Sequence, residues 1–411
     1  MTEATHRPDP GQVGRAPGLS PVGFIVGFGI VSCLADFVYE GARAVTGPYL
    51  ATLGASAALV GVITGAGEAV ALVSRLFTGR LSDRSGRHWA LSIAGYVLTV
   101  VSVPLLAVAR TLAPAALLVN TERFGKAVRT PARDTMLAQA ATDMGRGWAF
   151  AIHEALDQSG ALLGPLLVAF MLWLTGSYRS SFAVLAIPGV LVVATITRLR
   201  AAVPDPSLYE ADHLAPPTKA VRLGRGLSAQ FWAYAVFTGV TMLGFSTYAV
   251  LAFHLQVRHV VPTAQIPVIY AVAMGAAALA ALASGRAYDR AGLRVLFAAP
   301  VAAAGVPFLS FSGRASLVWL GALLWGVVMG LHESTMRAAV ADMVPPARRG
   351  EAYGTFTAVY GVAWLAGAAL IGLLYDRSAT SAEIFVAVIQ LVALVVGLVA
   401  LQTPARNRAP R

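Results

Sequence analysis

Twelve apolar runs constrain this chain more than any other feature of its sequence, because each comes close to or exceeds the roughly 20 residues that a helix needs to cross a bilayer. They fall near residues 22–52, 57–79, 89–109, 112–132, 148–175, 180–197, 229–257, 265–284, 293–312, 315–336, 351–375 and 382–402. Turn formers or charges separate them, as at Leu53-Gly54-Ala55-Ser56, Gly176-Ser177 and Pro345-Pro346. Only 12% of the residues are charged, against about 25% in an average soluble protein. The expected class is an all-α membrane protein with twelve transmembrane helices.

The net charge of +11 raises nucleic acid as a partner, so the positions of the 31 Lys and Arg residues matter. Twenty-one of them lie in the tails and in the connections after spans 2, 4, 6, 8 and 10. The opposite connections hold five, Arg110, Arg179, Arg258, Arg314 and Arg377. By the positive-inside rule both termini are then cytoplasmic. The basic balance records orientation, and no nucleic-acid partner is expected. Cys33, the single cysteine, rules out an internal disulfide and a cysteine-rich metal site. Residues 1–20 lack an apolar h-region and a small-residue cleavage site, so they read as a polar cytoplasmic tail rather than a cleaved signal. The location expected is the plasma (inner) membrane, multi-pass.

The longest polar stretch, 198–226, contains Pro204, Pro206, Pro216 and Pro217 and divides the spans six and six. The expected organisation is a tail (1–20), a first six-helix half (21–197), a cytoplasmic linker (198–226), a second six-helix half (227–402) and a tail (403–411). Internal repetition supports the division. Gly79-Arg80-Leu81-Ser82-Asp83-Arg84-Ser85-Gly86 recurs 206 residues later as Gly285-Arg286-Ala287-Tyr288-Asp289-Arg290-Ala291-Gly292. A second echo pairs the segment from Asp143 to Phe150 with that from Pro346 to Tyr353. Parallel halves of six spans are a transporter architecture.

The connection after span 2 resembles the signature G-x-L-x-D-R-x-G-R-[KR] of the major facilitator superfamily. It matches at Gly79, Leu81, Asp83, Arg84, Gly86 and Arg87, with His88 replacing the final basic residue. The resemblance implies the two-half fold of that superfamily and a gating role for these residues and for Asp289 and Arg290 in the second copy, where Leu293 replaces an arginine. Glycines permit a tight turn there, and an aspartate among arginines can form different ion pairs in two states; a solvated turn that only sets topology is the alternative. In span 4, Gly125-Lys126-Ala127-Val128-Arg129-Thr130-Pro131-Ala132-Arg133-Asp134 resembles the superfamily's arginine motif, with Ala127 where glycine is usual. The same run resembles a bacterial branch that includes nickel-resistance permeases. In span 5, Gly160-Ala161-Leu162-Leu163-Gly164-Pro165 resembles the core of a proton-antiporter motif; a small-residue packing face would read the same way.

Ionisable groups at membrane depth are costly unless paired or wet, so they are the candidate functional residues. Asp36, Glu40 and Arg43 are spaced i, i+4, i+7 and share one face of span 1, while Glu68 lies near the middle of span 2. Asp36, then Glu40, and Glu68 are the expected proton-coupling groups; a permanent ion-pair network with Arg43 and Arg75 is the competing reading. Span 4 aligns Glu122, Lys126, Arg129 and Arg133 in one stripe, and Arg123 is the candidate for an anionic substrate group. Span 5 carries His153, Glu154 and Asp157, expected to meet Lys126 and Arg129. The second half holds His332 and Glu333 at depth, with Phe245, Tyr248, Trp325 and Tyr360 as a candidate aromatic wall.

No zinc-hydrolase helix and no phosphate-binding G-x-x-x-x-G-K-[ST] loop is present, so no enzyme activity, no cofactor and no resident metal are expected. The sequence therefore points to a secondary transporter that exchanges protons for a small organic compound, most simply a monomer working by alternating access. A divalent-metal exporter and a non-transporting receptor or scaffold are the alternatives.

Overall fold

Ser20 accepts a hydrogen bond from the Gly23 amide at 3.2 Å and Pro21 occupies the first helical position, so α1 (Pro21–Thr52) begins at a defined point. The computed structural model describes residues 18–141, 146–209, 227–345 and 348–401. After α1 come α2 (Ala57–Val73), α3 (Arg75–Ser85), α4 (His88–Leu105), α5 (Leu112–Ala140), α6 (Arg146–Thr175), α7 (Tyr178–Val184) and α8 (Ala186–Ala202). The second part contains α9 (Ala229–Leu243), α10 (Tyr248–Val257), α11 (Gln265–Ala291), α12 (Ala298–Ser310), α13 (Ala315–Met343), α14 (Arg349–Arg377) and α15 (Ala379–Leu401). No strand occurs among the described residues.

Among the described residues, ten stretches are long and apolar enough to cross a membrane. One of these, Gln265–Ser310, holds two helices, α11 and α12, joined by a 3-10 segment at Gly292–Phe297. Helix α5 is 29 residues long but carries the charged stripe, which keeps it out of that set. Trp173, Leu279 and Val399 are more than 70% exposed at 72%, 71% and 75%, an outward apolar surface suited to lipid.

The start of α1 and the end of α8 meet at one end of the bundle, the proximal end. The Gly18 amide bonds the Ala202 carbonyl at 2.8 Å, and the Tyr209 hydroxyl bonds the Leu19 carbonyl at 2.8 Å. The stretch expected to be linker from 198 onward is thus helix as far as Ala202, followed by a 3-10 turn at Pro206–Tyr209 that packs on the first half. Trp89 reinforces this, donating its indole N–H to the Val203 carbonyl at 3.1 Å. Residues 210–226, the tails 1–17 and 402–411, and the repeat echo at 142–145 and 346–347 lie outside the described residues.

Helices α1 and α6, α4 and α5, and α11 and α13 pack along one another, and α2 packs along α14 across the two halves. The α2–α14 seam is built on missing side chains. A Cβ on Gly61 would meet the Ala368 carbonyl oxygen, and one on Gly372 would meet that of Ala57. Backbones approach this closely only where no side chain intervenes. At the distal end, Asp376 of α14 accepts hydrogen bonds from the Ala57 and Ala58 amides at 2.8 and 2.9 Å, capping α2 from the other half.

Three sequence expectations change. Span 2 does not end in a loop at Gly79: α3 continues to Ser85, and Gly79 to Arg84 are helical. The turn is made by Gly86 alone, at φ 61°, and by its repeat partner Gly292, at φ 60°. Span 7 is not continuous, because α9 ends at Leu243 and α10 begins at Tyr248. The carbonyls freed there are held from other helices, Ser246 by the Trp325 indole at 2.9 Å and Thr241 by the Gln390 amide at 2.9 Å.

Candidate functional site

The i, i+4, i+7 spacing on α1 does bring Asp36, Glu40 and Arg43 to one face, and Tyr39 stands among them. Facing them, α5 presents Arg123, Lys126 and Arg129, whose cationic groups lie 5.4, 4.3 and 5.6 Å from the centre of the Tyr39 ring. Lys126 Nζ donates to the Tyr39 hydroxyl at 2.5 Å, and that hydroxyl donates to Asp36 Oδ2 at 2.9 Å. Arg129 Nη2 lies 3.5 Å from Asp36 Oδ1, while the Arg129 guanidinium stacks 4.5 Å from the centre of the Tyr96 ring.

From Glu40 a second chain of ion pairs runs across three helices. Arg43 Nη1 lies 3.3 Å from Glu40 Oε1, and Arg43 Nη2 lies 2.7 Å from Glu68 Oε1 on α2. Arg123 of α5 reaches the same Glu68 oxygen at 3.8 Å and Glu122 Oε2 at 3.2 Å. Removing one partner of a buried pair leaves an uncompensated charge, so this chain is held together by mutual need. Arg123 is already flanked by two carboxylates, which leaves it poorly placed for the anionic substrate group expected of it.

A cavity opens beside this chain. It offers about 510 Å³ of empty space, its open side included, and is lined by Tyr39, Arg43, Glu68, Glu122 and Arg123 on its polar side. Val103, Leu106, Leu118 and Val119 form an apolar wall. Thr247 and Tyr248, at the break between α9 and α10, complete the lining from the second half, and Thr247 hydrogen-bonds Thr64 at 3.0 Å. Unwound backbone in a membrane-spanning segment is tolerated where protein buries it or a cavity adjoins it.

The structure separates the span 5 group. His153 Nε2 bonds Ser32 Oγ at 2.8 Å, and Ser32 also meets the Tyr96 hydroxyl at 2.9 Å and Arg133 Nη1 at 3.4 Å. Glu154 is exposed and accepts from Gln158 on its own helix at 2.9 Å, so it does not meet Lys126 or Arg129. Asp157 is half-buried, and its Oδ1 accepts no hydrogen bond among the described residues. Gly160 and Gly164 lie against the Cys33 and Phe37 carbonyls of α1, so the motif in span 5 serves close packing.

In the second half His332 is buried, with Nδ1 2.9 Å from the Met336 sulfur and its ring 5.6 Å from that of Phe245; Glu333 points to the exposed side. Among the described residues, no three His, Cys, Asp or Glu side chains gather as a metal site. Asp83, Arg84 and Arg87 are exposed, as are Asp289 and Arg290, and Asp83 forms no ion pair with a described residue.

Sequence reasoning missed Tyr39, Tyr96, Ser32 and, above all, Tyr270 of α11, whose hydroxyl donates to Glu40 Oε2 across the two halves. Tyr39 is three residues from Asp36 and shares its face, a signal present in the spacing. Tyr270 carries no such signal.

The sequence matches the Major Facilitator Superfamily over residues 28–337. The chain belongs to that superfamily. An uncharacterized protein of Mycobacterium tuberculosis (strain ATCC 25618 / H37Rv) is 49% identical over 380 residues, covering 92% of this chain and 93% of that protein. An uncharacterized MFS-type transporter of Methanocaldococcus jannaschii is 23% identical over 363 residues, 85% of this chain and 88% of its own length. The fold is similar to that of nucleoside transporter NupG, with a TM-score of 0.72 at 15% identity over 93% of this chain and all (100%) of that one. It is also similar to a bacterial homologue of the human lysosomal transporter Spinster in an inward-facing, occupied conformation, with a TM-score of 0.74 at 14% identity, covering 94% and 98%. The chain is a membrane transporter of this superfamily, and its ion-paired cavity lies among α1, α2, α4, α5 and α10.

Proposed function

We propose that the protein is a proton-coupled antiporter that exports a small organic compound by alternating access. In this reading it has twelve membrane passes: ten apolar stretches, of which Gln265–Ser310 counts as two passes, and α5. The proximal end, rich in arginine, then faces the cytoplasm.

The observation that carries the reading is the Tyr270–Glu40 hydrogen bond, since it joins a carboxylate of the first-half ion-pair chain to the second half. An ionised Glu40 accepts this bond strongly, and a protonated one loses the charge that strengthens it. Proton binding at Glu40, or at Asp36 or Glu68 with a rearrangement of the shared arginines, thereby changes the free-energy difference between joined and separated halves. A ligand shifts such an equilibrium only by its differential affinity for the two states. Export rests on the resemblance of the segment from Gly160 to Pro165 to a proton-antiporter motif, the glycines themselves serving the packing of α6 on α1.

The test is reconstitution in proteoliposomes with an imposed pH gradient. Solute movement against its own gradient, driven by inward proton movement and lost in Glu40→Gln, is expected. Solute flux that ignores the pH gradient would remove proton coupling.

A further inference from the structure

The charged groups that line the cavity cancel, and its hydroxyls have no proton left to give. Two arginines, Arg43 and Arg123, line it together with two carboxylates, Glu68 and Glu122. Glu68 holds both arginines, and Arg123 also holds Glu122. Behind them Asp36 and Glu40 stand with Lys126 and Arg129, again two of each sign. Glu122 Oε1 has no hydrogen-bond partner among the described residues, but it is itself buried, so it is closed to a solute and recruits no cation. An ion entering from water would give up its hydration and find no unpaired counter-charge; breaking a pair to obtain one would leave the other partner uncompensated. An uncharged solute meets neither cost.

Five hydroxyl side chains also line the cavity, Tyr39, Thr46, Thr64, Thr247 and Tyr248. Thr46 donates to the Ala42 carbonyl at 2.9 Å, Thr64 to that of Val60 at 2.8 Å and Tyr248 to that of Ile266 at 2.9 Å. Tyr39 donates to Asp36, and Thr247, 3.0 Å from the Thr64 oxygen whose own proton is committed, donates to Thr64. Only lone pairs remain on these oxygens. A solute that brings a hydrogen-bond donor is therefore preferred to one that brings only acceptors.

We propose that the cavity binds an uncharged organic compound that carries a hydroxyl or amide N–H. Its donor rests on the hydroxyl oxygens of Thr46, Thr64 or Thr247, and its hydrocarbon part lies along the apolar wall of Val103, Leu106, Leu118 and Val119. This deepens the transport reading and rests on it. One consequence reaches the energetics of exchange. If one proton enters for each molecule that leaves, one positive charge crosses inward per cycle, because the solute carries none. Exchange of a proton for an organic cation would move no net charge.

The test uses the purified full-length protein and a panel in which each hydrocarbon skeleton, aryl, cyclic or linear, is supplied as alcohol, primary amide, methyl ether, ammonium and carboxylate. Thermal shift and calorimetric titration at neutral pH read the binding. At least one alcohol or amide is expected to bind, with its ether, ammonium and carboxylate counterparts weaker by more than about tenfold. Glu68→Gln removes a negative charge from the lining and should raise affinity for the carboxylate member by about tenfold or more; Arg123→Gln should do the same for the ammonium member. Should neither variant fold, the wild type in proteoliposomes decides. There a potential of about 100 mV that draws positive charge inward should change the steady-state ratio of the bound compound by up to about fiftyfold. The proposal is overturned if no alcohol or amide binds, or if the ether, ammonium or carboxylate binds as well. It is also overturned if the folded variants keep the wild-type preference or if the ratio ignores the potential. A compound that binds in this pattern but is not moved by a pH gradient overturns the transport reading and leaves the site. A pH-driven flux of a charged solute, unaffected by every alcohol and amide, does the reverse.

Discussion

Tyr270 of α11 donates its hydroxyl to Glu40 of α1, and through Glu40 it touches a chain of charges that ends at Glu122. Among the described residues the halves are also joined by hydrogen bonds of Thr64 with Thr247, of Tyr178 with Gln256 and of Asp376 with the first amides of α2. Tyr270→Phe keeps the ring packed on Tyr248, 4.5 Å between centroids, and removes only the bond. A hydrogen bond to a charged group contributes about 1.5–3 kcal/mol. The expected result is a shift of about tenfold or more toward the arrangement in which α1 and α11 separate. Spin-label distances between those helices check it, and an unchanged distribution would deny the contact any part in switching.

Asp376→Ala should loosen the distal end. It deletes a cap worth about 1 kcal/mol, supplied to α2 by the other half at 2.8 and 2.9 Å. Single cysteines placed at the distal ends of α2 and α14, with Cys33 replaced, should label faster, by up to about fivefold. Equal labelling rates would mean that the glycine seam alone holds this end.

Asp36→Asn should abolish proton-driven accumulation while leaving exchange of substrate partly intact. The amide still accepts from the Tyr39 hydroxyl, which sits 2.9 Å from Oδ2, but can no longer carry a proton or balance Arg129. Flux at two imposed pH gradients measures this; gradient-driven flux equal to wild type would take Asp36 out of the coupling.

Asp83→Ala should not lower stability in the arrangement described, since Asp83 is exposed and forms no ion pair with a described residue. The gating role that the motif implies pairs Asp83 with arginines only when the proximal end is closed, which predicts that its removal costs that state about 1–3 kcal/mol. Cysteines at the proximal ends of α3 and α14 should therefore become more reactive and those at the distal ends less so. No change at either end would reduce the motif to a topological anchor.

Much of this site was legible before the structure, because charge at membrane depth is rare and helical spacing fixes which charges share a face. Asp36, Glu40 and Arg43 on α1 and the stripe on α5 follow from that rule. Glu154 did not, since its fate depends on which side of α6 meets α1. His153, Gly160 and Gly164, at i, i+7 and i+11, mark that side, and Glu154 sits about 100° away from His153. The break at Gly244-Phe245-Ser246-Thr247 has only glycine and two hydroxyl residues to announce it, and the groups that make it tolerable, Trp325 and Gln390, come from distant helices. Tyr270 was illegible for the same reason: its meaning lies in a partner 230 positions away in the chain.

Glycine at positions 61 and 372 lets α2 and α14 touch backbone to backbone, and Gly354 and Gly361 continue the contact to Leu76 and Leu72 near the other end. The halves also meet where α1 packs on α10 and α6 on α11, so this seam is one of several lines of contact between them. Bare backbone surfaces can separate without first unlocking interdigitated side chains. Tyr270 on α11 lies on another of these lines, where its hydroxyl has hold of Glu40, so the two contacts differ in kind: one is shape alone, the other answers to charge.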